Sequence, residues 1–183
     1  MLKRSDPWRE WMLLLLFAVT IAVFTRTYFI APIIVDGESM SPTLEDQDRM
    51  IVNKSSYWFS EPDRFDIIVF HATEEKDYIK RVIGLPGDRL YYYDDQLYIN
   101  GVKVNEPFLE PLREEMNGTT ITPDFTLKQS SGYDVIPEGY VFVLGDNRRH
   151  SLDSRMFGLV KMEDIVGQAT LTFWPVSHLN WLP

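Results

Sequence analysis

Charged residues are absent between Trp11 and Thr25, where WMLLLLFAVTIAVFT reads as one apolar run. No amphipathic stripe divides it, so a helix built from it is apolar on every side, which suits lipid better than one face of a soluble core. Its fifteen residues span about 22 Å at about 1.5 Å each, short of the roughly 30 Å of a bilayer interior. Continuing through Arg26 to Val35 lengthens the segment to about 37 Å, enough to cross if Arg26 snorkels to the far interface. The pattern therefore predicts a transmembrane anchor over 11–35, after a short N-terminal segment over 1–10. A buried core helix and a cleaved signal peptide compete with it. No Ala-x-Ala follows the run, and Arg26 stands where a cleavage region is small and uncharged, so a retained anchor is preferred.

Beyond the anchor the periodicity changes. Arg49 to Asn53, Asp66 to Phe70, Tyr78 to Leu85, Arg89 to Tyr93 and Gln96 to Asn100 are short and rich in β-branched and aromatic residues, as strands are. Pro86-Gly87-Asp88 and Asp94-Asp95 punctuate them, and Asn100-Gly101 before Val102-Lys103-Val104 is a two-residue hairpin signal. From Glu106 to Gly132 prolines and polar residues break the pattern, predicting an irregular insertion that projects from the main sheet. Strands resume at Tyr140 to Leu144, Gly158 to Val160 and Gly167 to Trp174, with a helical turn over Lys161 to Ile165. The expected fold is mainly β: one N-terminal transmembrane helix, then a β-rich domain over 36–183.

Charge orients this layout. Residues 1–35 carry Lys3, Arg4, Arg9 and Arg26 against Asp6 and Glu10, a net of +2, which leaves −11 for the remainder of a chain whose net charge is −9. The basic residues before the apolar run put the N-terminus in the cytoplasm and the body outside. A body this acidic argues against nucleic acid as a partner. The chain has no cysteine, which excludes disulfides, thiolate metal sites and cysteine nucleophiles. Asn117-Gly118-Thr119 fits a glycosylation sequon but says little alone.

Candidate chemistry centres on Ser39. Gly37 permits a positive φ or close approach, and Pro42 keeps Ser41 out of the helical region, so Ser39 sits in an exposed turn. A serine nucleophile also needs a base and an oxyanion donor. His71, His150 and His178 allow a histidine base on count alone, though no metal or triad spacing surrounds them. Lys80 is the better candidate. Strand alternation places it on one face with Tyr78 and Val82, while Arg81 points to the other. Burial among apolar neighbours drives a lysine toward the neutral amine that a base requires. A solvated Lys80 beside Arg81, and a Ser39 in an ordinary surface turn, are the non-catalytic alternatives.

Four stretches together resemble the boxes of type I signal peptidases, and the short single-anchor layout is similar to the Gram-positive branch of the family. They are Gly37 to Leu44 (GESMSPTL), Arg64 to Phe70 (RFDIIVF), Tyr78 to Asp88 (YIKRVIGLPGD), and Gly145 to Arg148 with Ser151 to Arg155. The resemblance implies a membrane-bound serine-lysine endopeptidase that removes signal peptides from exported preproteins, without metal or cofactor. It implies Ser39 as nucleophile, Lys80 as general base, and a Ser151 hydroxyl that orients the Lys80 amine. Asp146, Arg148, Asp153 and Arg155 are implied to buttress the site by ion pairs. Val35, Gly37, Met40, Leu44, Tyr78 and Ile79 are implied to shape substrate pockets for Ala-x-Ala ends. Gly37 stands where some relatives have a serine that helps the oxyanion, Arg149-His150 where many have Asp-Asn, and Phe65 where a glycine is usual.

Signal peptides and membrane lipids are the implied partners. Tyr57-Trp58-Phe59, Phe173-Trp174-Pro175 and Trp181-Leu182 fit either the lipid interface or core packing, with core packing preferred. Two other functions fit parts of the pattern: a self-cleaving serine-lysine protein of the SOS-repressor type, and a membrane-tethered β-domain that binds a partner without catalysis.

Overall fold

A computed structural model describes residues 7–116 and 118–183. Lys3 and Arg4, which carry part of the N-terminal charge, and Asn117 of the sequon lie outside the described residues. Helix α1 spans Pro7–Tyr28, with proline at its first position, where the missing N–H has no intrahelical partner to lose. Its 22 residues reach about 33 Å, and Arg26 in the last turn complements the negative end of the helix dipole. The stretch Trp8–Tyr28 has mean hydropathy 1.7 and is not covered by the rest of the protein. It is long and apolar enough to cross a membrane.

The helix starts and stops earlier than the expected 11–35. Ile30–Ile34 is strand β1, paired antiparallel with β2 (Arg49–Asn53). Pro32 cannot donate to a helical ladder, and Ile33 and Ile34 are β-branched, so the chain becomes extended as soon as a partner strand is within reach. Pro32 is tolerated because β1 ends the sheet, leaving one edge without a ladder to break.

Strands β3 (Ile67–His71), β4 (Asp77–Gly84), β5 (Leu90–Tyr93), β6 (Gln96–Ile99) and β7 (Val102–Val104) follow. Helix α2 (Glu110–Glu115), β8 (Phe125–Thr126) and α3 (Leu127–Ser131) come next. The chain ends with β9 (Tyr140–Leu144), α4 (Ser154–Phe157), β10 (Val160–Lys161), β11 (Ile165–Trp174) and β12 (Asn180–Trp181). A large antiparallel sheet runs β1-β2-β11-β3-β4-β9-β10 with β12 on β11, and a smaller one runs β7-β6-β5-β8. Asn100 and Gly101 both take positive φ, 53° and 82°, as the expected two-residue turn requires. Asp94 and Asp95 do the same between β5 and β6.

The segment after Glu106 is not the projecting insertion that its prolines suggested. Its prolines start short helical turns at Pro107 and in α2, Thr126 and Gln129 form a capping box for α3, and β8 extends the small sheet by pairing with β5. Leu109, Ile121 and Leu127 are buried. The segment is therefore a structural layer, closed by apolar contacts that no local periodicity announces.

Three apolar clusters hold the body. One lies between the sheets, around Ile83, Leu90, Tyr92, Leu97 and Phe142. Another lies beneath the Ser39 turn, around Val35, Met40, Leu44, Met50 and Val69. The third joins Ile68, Phe70, Val82, Val141 and Val143. The expected core packing of the aromatic clusters is met only in part. Tyr57 packs and donates to Asp66, but Phe59, Trp174 and Trp181 are exposed, and Trp58 rests on Phe29 with ring centroids 5.3 Å apart.

Gly84 of β4 packs directly against Leu90 of the small sheet, with no room for a side chain. A methyl group there would overlap Ile136 Cδ1 and Leu90 Cδ2, both in buried side chains. Gly84→Ala is expected to destabilise the solubilised protein by about 1–3 kcal/mol, the usual cost of overpacking. Urea unfolding followed by tryptophan fluorescence measures it, and an unchanged midpoint would contradict this packing.

Candidate active site

The turn that carries Ser39 is held from three sides. Gly37 adopts φ 94°, and its N–H donates to Asp46 Oδ1 at 2.8 Å. Ser41 N–H donates to the Glu38 carbonyl and Leu44 N–H to that of Met40. Met40 and Leu44 are buried in the cluster below, which draws the turn down and leaves Ser39 partly exposed above it. Among the described residues no acceptor bonds the Ser39 N–H.

Lys80 meets this turn from β4. Its Nζ lies 2.7 Å from Ser39 Oγ and donates to the Ile79 carbonyl at 2.9 Å. Only 4% of the residue is exposed. Loss of hydration lowers the amine to about 8, against an opposing pull from the Asp153 and Asp146 charges. The neutral amine is therefore within reach about one pH unit above neutrality, beside the Ser39 hydroxyl. His71 pairs with Asp77 and His178 with Asp48, while His150 lines the groove beside Ser39 but contacts Asn147 rather than the serine.

The implied buttresses are all close by, with partners the sequence did not supply. Asp153 and Arg155 do pair with each other, through Arg155 Nε at 2.8 Å and Nη2 at 2.7 Å. Asp146 instead takes a two-pronged bond from Arg81, at 2.9 and 2.7 Å, with both side chains buried. Arg148 pairs with Glu106 at 2.6 Å and also donates to Tyr92 and to the Gly145 carbonyl. Arg81 was recognisable as the residue opposite Lys80 on β4. Glu106 was not, because its only link to the site is through space.

The loop from Gly145 to Arg148 ties these pairs to the Ser39 turn. Asn147 N–H donates to the Ser39 carbonyl at 3.1 Å and Asn147 Nδ2 to that of Glu38 at 3.1 Å. Gly145 allows this approach, since a Cβ there would overlap the Ser39 carbonyl oxygen and the Ser151 hydroxyl. The Ser151 Oγ is buried against Gly145 without a hydrogen-bond partner among the described residues, so the implied bond to Lys80 is not formed. Phe65, at the position of a usual glycine, takes φ 77°, the left-handed region a glycine would favour. Its carbonyl accepts from Arg81 and its ring stands edge-on to Phe108, whose face also covers the Arg81 guanidinium.

A groove of about 590 Å³ leads to Ser39 and Lys80. Val35, Gly37, Met40, Tyr78 and Ile79 line it. Leu44 does not; it is fully buried beneath Met40, where it supports the floor rather than facing the groove. One wall is a free strand edge. Asp77 to Lys80 pair with β3 on one side, while β9 begins pairing with β4 only at Arg81.

Residues 8–174 match the family described as signal peptidase, peptidase S26. Signal peptidase I of Bacillus caldolyticus is 47% identical over 176 residues, covering 96% of this chain and 94% of that protein. Signal peptidase IB of Staphylococcus aureus strain MRSA252 is 40% identical, covering 94% and 92%. The crystal structure of a signal peptidase I from Enterococcus faecalis V583 superposes with TM-score 0.57 at 43% identity, covering 61% of this chain and 98% of that one. A serine hydroxyl beside a buried lysine amine in a β-rich body thus coincides with a match along nearly the whole sequence: this chain is a peptidase of the S26 signal peptidase family.

Proposed function

We propose that this peptidase removes N-terminal signal peptides with Ser39 as nucleophile and Lys80 as general base, cutting after Ala-x-Ala-type ends outside the membrane that α1 crosses. The observation that carries this reading is the 2.7 Å approach of a desolvated Lys80 amine to the Ser39 hydroxyl. A merely structural Lys80 would gain more from a paired carboxylate, and among the described residues none bonds it. Substrate lies extended against the free edge of β4, where main-chain bonds give affinity and the pockets around Val35, Met40 and Ile79 admit small side chains.

As Ser39 Oγ attacks the scissile carbonyl, its proton passes to Lys80 Nζ, and the carbonyl oxygen gathers negative charge beside the Ser39 N–H. Collapse breaks the peptide bond while Lys80 returns the proton to the leaving amine. Water, deprotonated by the same amine, then releases the signal peptide from the ester. The anchor confines this chemistry to the membrane face, which raises its effective concentration toward emerging substrates. Arg9 before the apolar run and the acidic body after it favour a cytoplasmic N-terminus. The exposed Phe59, Trp174 and Trp181 favour contact with lipid headgroups.

Cleavage in trans separates this from self-cleavage and from simple binding. Detergent-solubilised protein is expected to cut an Ala-x-Ala preprotein. Ser39→Ala and Lys80→Arg are expected to lose at least about 10³-fold in kcat while keeping their circular dichroism, because neither leaves a hydroxyl with a deprotonatable partner. Equal cutting by either variant contradicts the dyad.

Protonated Lys80 has no lone pair, so kcat/KM is expected to fall about tenfold per pH unit below about 8 and to level off above it. A flat profile between pH 6 and 8 removes lysine from the role of base. Stability changes in the same direction but over a higher pH window. A lysine lowered from 10.5 to about 8 on folding costs stability below pH 8, and that cost fades as the pH rises toward 10.5. Lys80→Met is therefore expected to be more stable than the parent by about 1–3 kcal/mol at pH 7, with the gain shrinking at pH 10. Urea midpoints at the two pH values check it.

A further inference from the structure

Residues 149 to 152 divide two cavities between them. His150 and Leu152 line the groove that holds Ser39 and Lys80, whereas Arg149 and Ser151 line a second cavity of about 460 Å³. Arg148 and Arg155 line this second cavity too, and no carboxylate does. Three guanidinium groups around one space stand out in a chain whose net charge is −9. Their commitments differ. Arg148 is fully engaged, donating to the Gly145 carbonyl, Tyr92, Thr122 and Glu106. Arg155 holds Asp153 through Nε and Nη2, and Nη2 also reaches the Arg148 carbonyl, which leaves its Nη1 without an acceptor among the described residues. Arg149 is the least compensated. Its Nη2 donates to the Thr120 carbonyl, and no carboxylate pairs with it among the described residues. Ser151 adds a hydroxyl whose Oγ bonds nothing among the described residues.

We propose that this cavity binds a phosphoryl anion, held chiefly by Arg149 and by the free Nη1 of Arg155. Donors from separate guanidinium groups suit a tetrahedral phosphoryl group, which turns oxygens toward each of them, better than a planar carboxylate, which pairs with a single fork. The cavity is larger than a phosphoryl group alone fills, and Pro123 and Met156 give it an apolar rim. An ester substituent on the phosphorus therefore has both room and contact. Inorganic phosphate and a phospholipid headgroup are the two sources of this chemistry. Neither Arg149 nor Arg155 lines the groove, so substrate and anion do not compete for side chains. Aspartate at 149, usual in the family that the sequence resembles, would put a carboxylate in the cavity and repel the same ligand.

Isothermal titration of the full-length protein in a non-ionic detergent with inorganic phosphate, at an ionic strength held constant with chloride, measures this binding without any need for cleavage. Saturable binding at a single site is expected. Arg149→Ala is expected to weaken it about tenfold, the worth of a charged hydrogen bond, and Arg149→Asp to abolish it. Melting midpoints of both variants in chloride buffer should match the parent, because Arg149 is exposed. Glycerophosphoglycerol, a phosphatidylglycerol headgroup without acyl chains, forms the second arm. Tighter binding than inorganic phosphate, with the same loss in Arg149→Ala, assigns the site to a lipid headgroup; weaker binding assigns it to the free anion. No saturable binding of either compound by the parent, or equal affinity in the parent and Arg149→Ala, overturns the site and leaves the proposed function untouched.

Discussion

The site turns on a lysine amine that has been taken out of water and left without an anionic partner, 2.7 Å from a serine hydroxyl. In water an ammonium group holds its proton tightly and cannot accept another. Here the loss of hydration outweighs the pull of two nearby carboxylates, Asp153 and Asp146, and brings the amine down to about 8. Those carboxylates are close enough to be felt, yet each is occupied by a guanidinium: Asp146 by Arg81 and Asp153 by Arg155. If either were free to reach Lys80, it would hold the proton on the amine. The ion pairs therefore keep acids and amine apart.

Buried charge pairs of this kind seldom add net stability, because dehydrating both ions offsets their attraction. Their value here is positional. Arg148 is gripped by Glu106, Tyr92 and Thr122 and in turn holds the Gly145 carbonyl. The adjacent Asn147 fastens the backbone of Ser39. The Ser39 turn, the loop and the small sheet thus form one unit, and the segment that begins at Glu106 supplies two of its parts: the Glu106 carboxylate under Arg148 and the Phe108 ring over Arg81. This is preorganisation in a concrete sense, since each bond exists before substrate arrives.

Elements governed by local rules were legible in the sequence. The Asn100-Gly101 turn needs two positive φ angles and its residues favour them; the strands beyond Arg49 carry β-branched and aromatic residues; Lys80 and Arg81 separate onto opposite faces because side chains in a strand alternate. Elements governed by partners were misread. Residues 30 to 34 continue an apolar run and look like helix, but become a strand because β2 is there to pair with them. The Ser151 hydroxyl, expected on Lys80, rests against Gly145 instead. Leu44, expected in a pocket wall, is the support beneath one.

By itself the sequence determined the parts: an apolar helix long enough for a bilayer, a β-rich body, and a serine turn and a strand lysine that the fold brings together. Periodicity and turn preference are properties of neighbours along the chain, so they survive without a fold. Only the tertiary structure decided how far the amine is shielded, which guanidinium holds which carboxylate, and that a proline-rich segment closes the site. Those outcomes depend on groups brought together from distant positions, as Glu106 meets Arg148 across 42 residues. Desolvation and charge pairing act through space, and no local pattern encodes the distance over which they act.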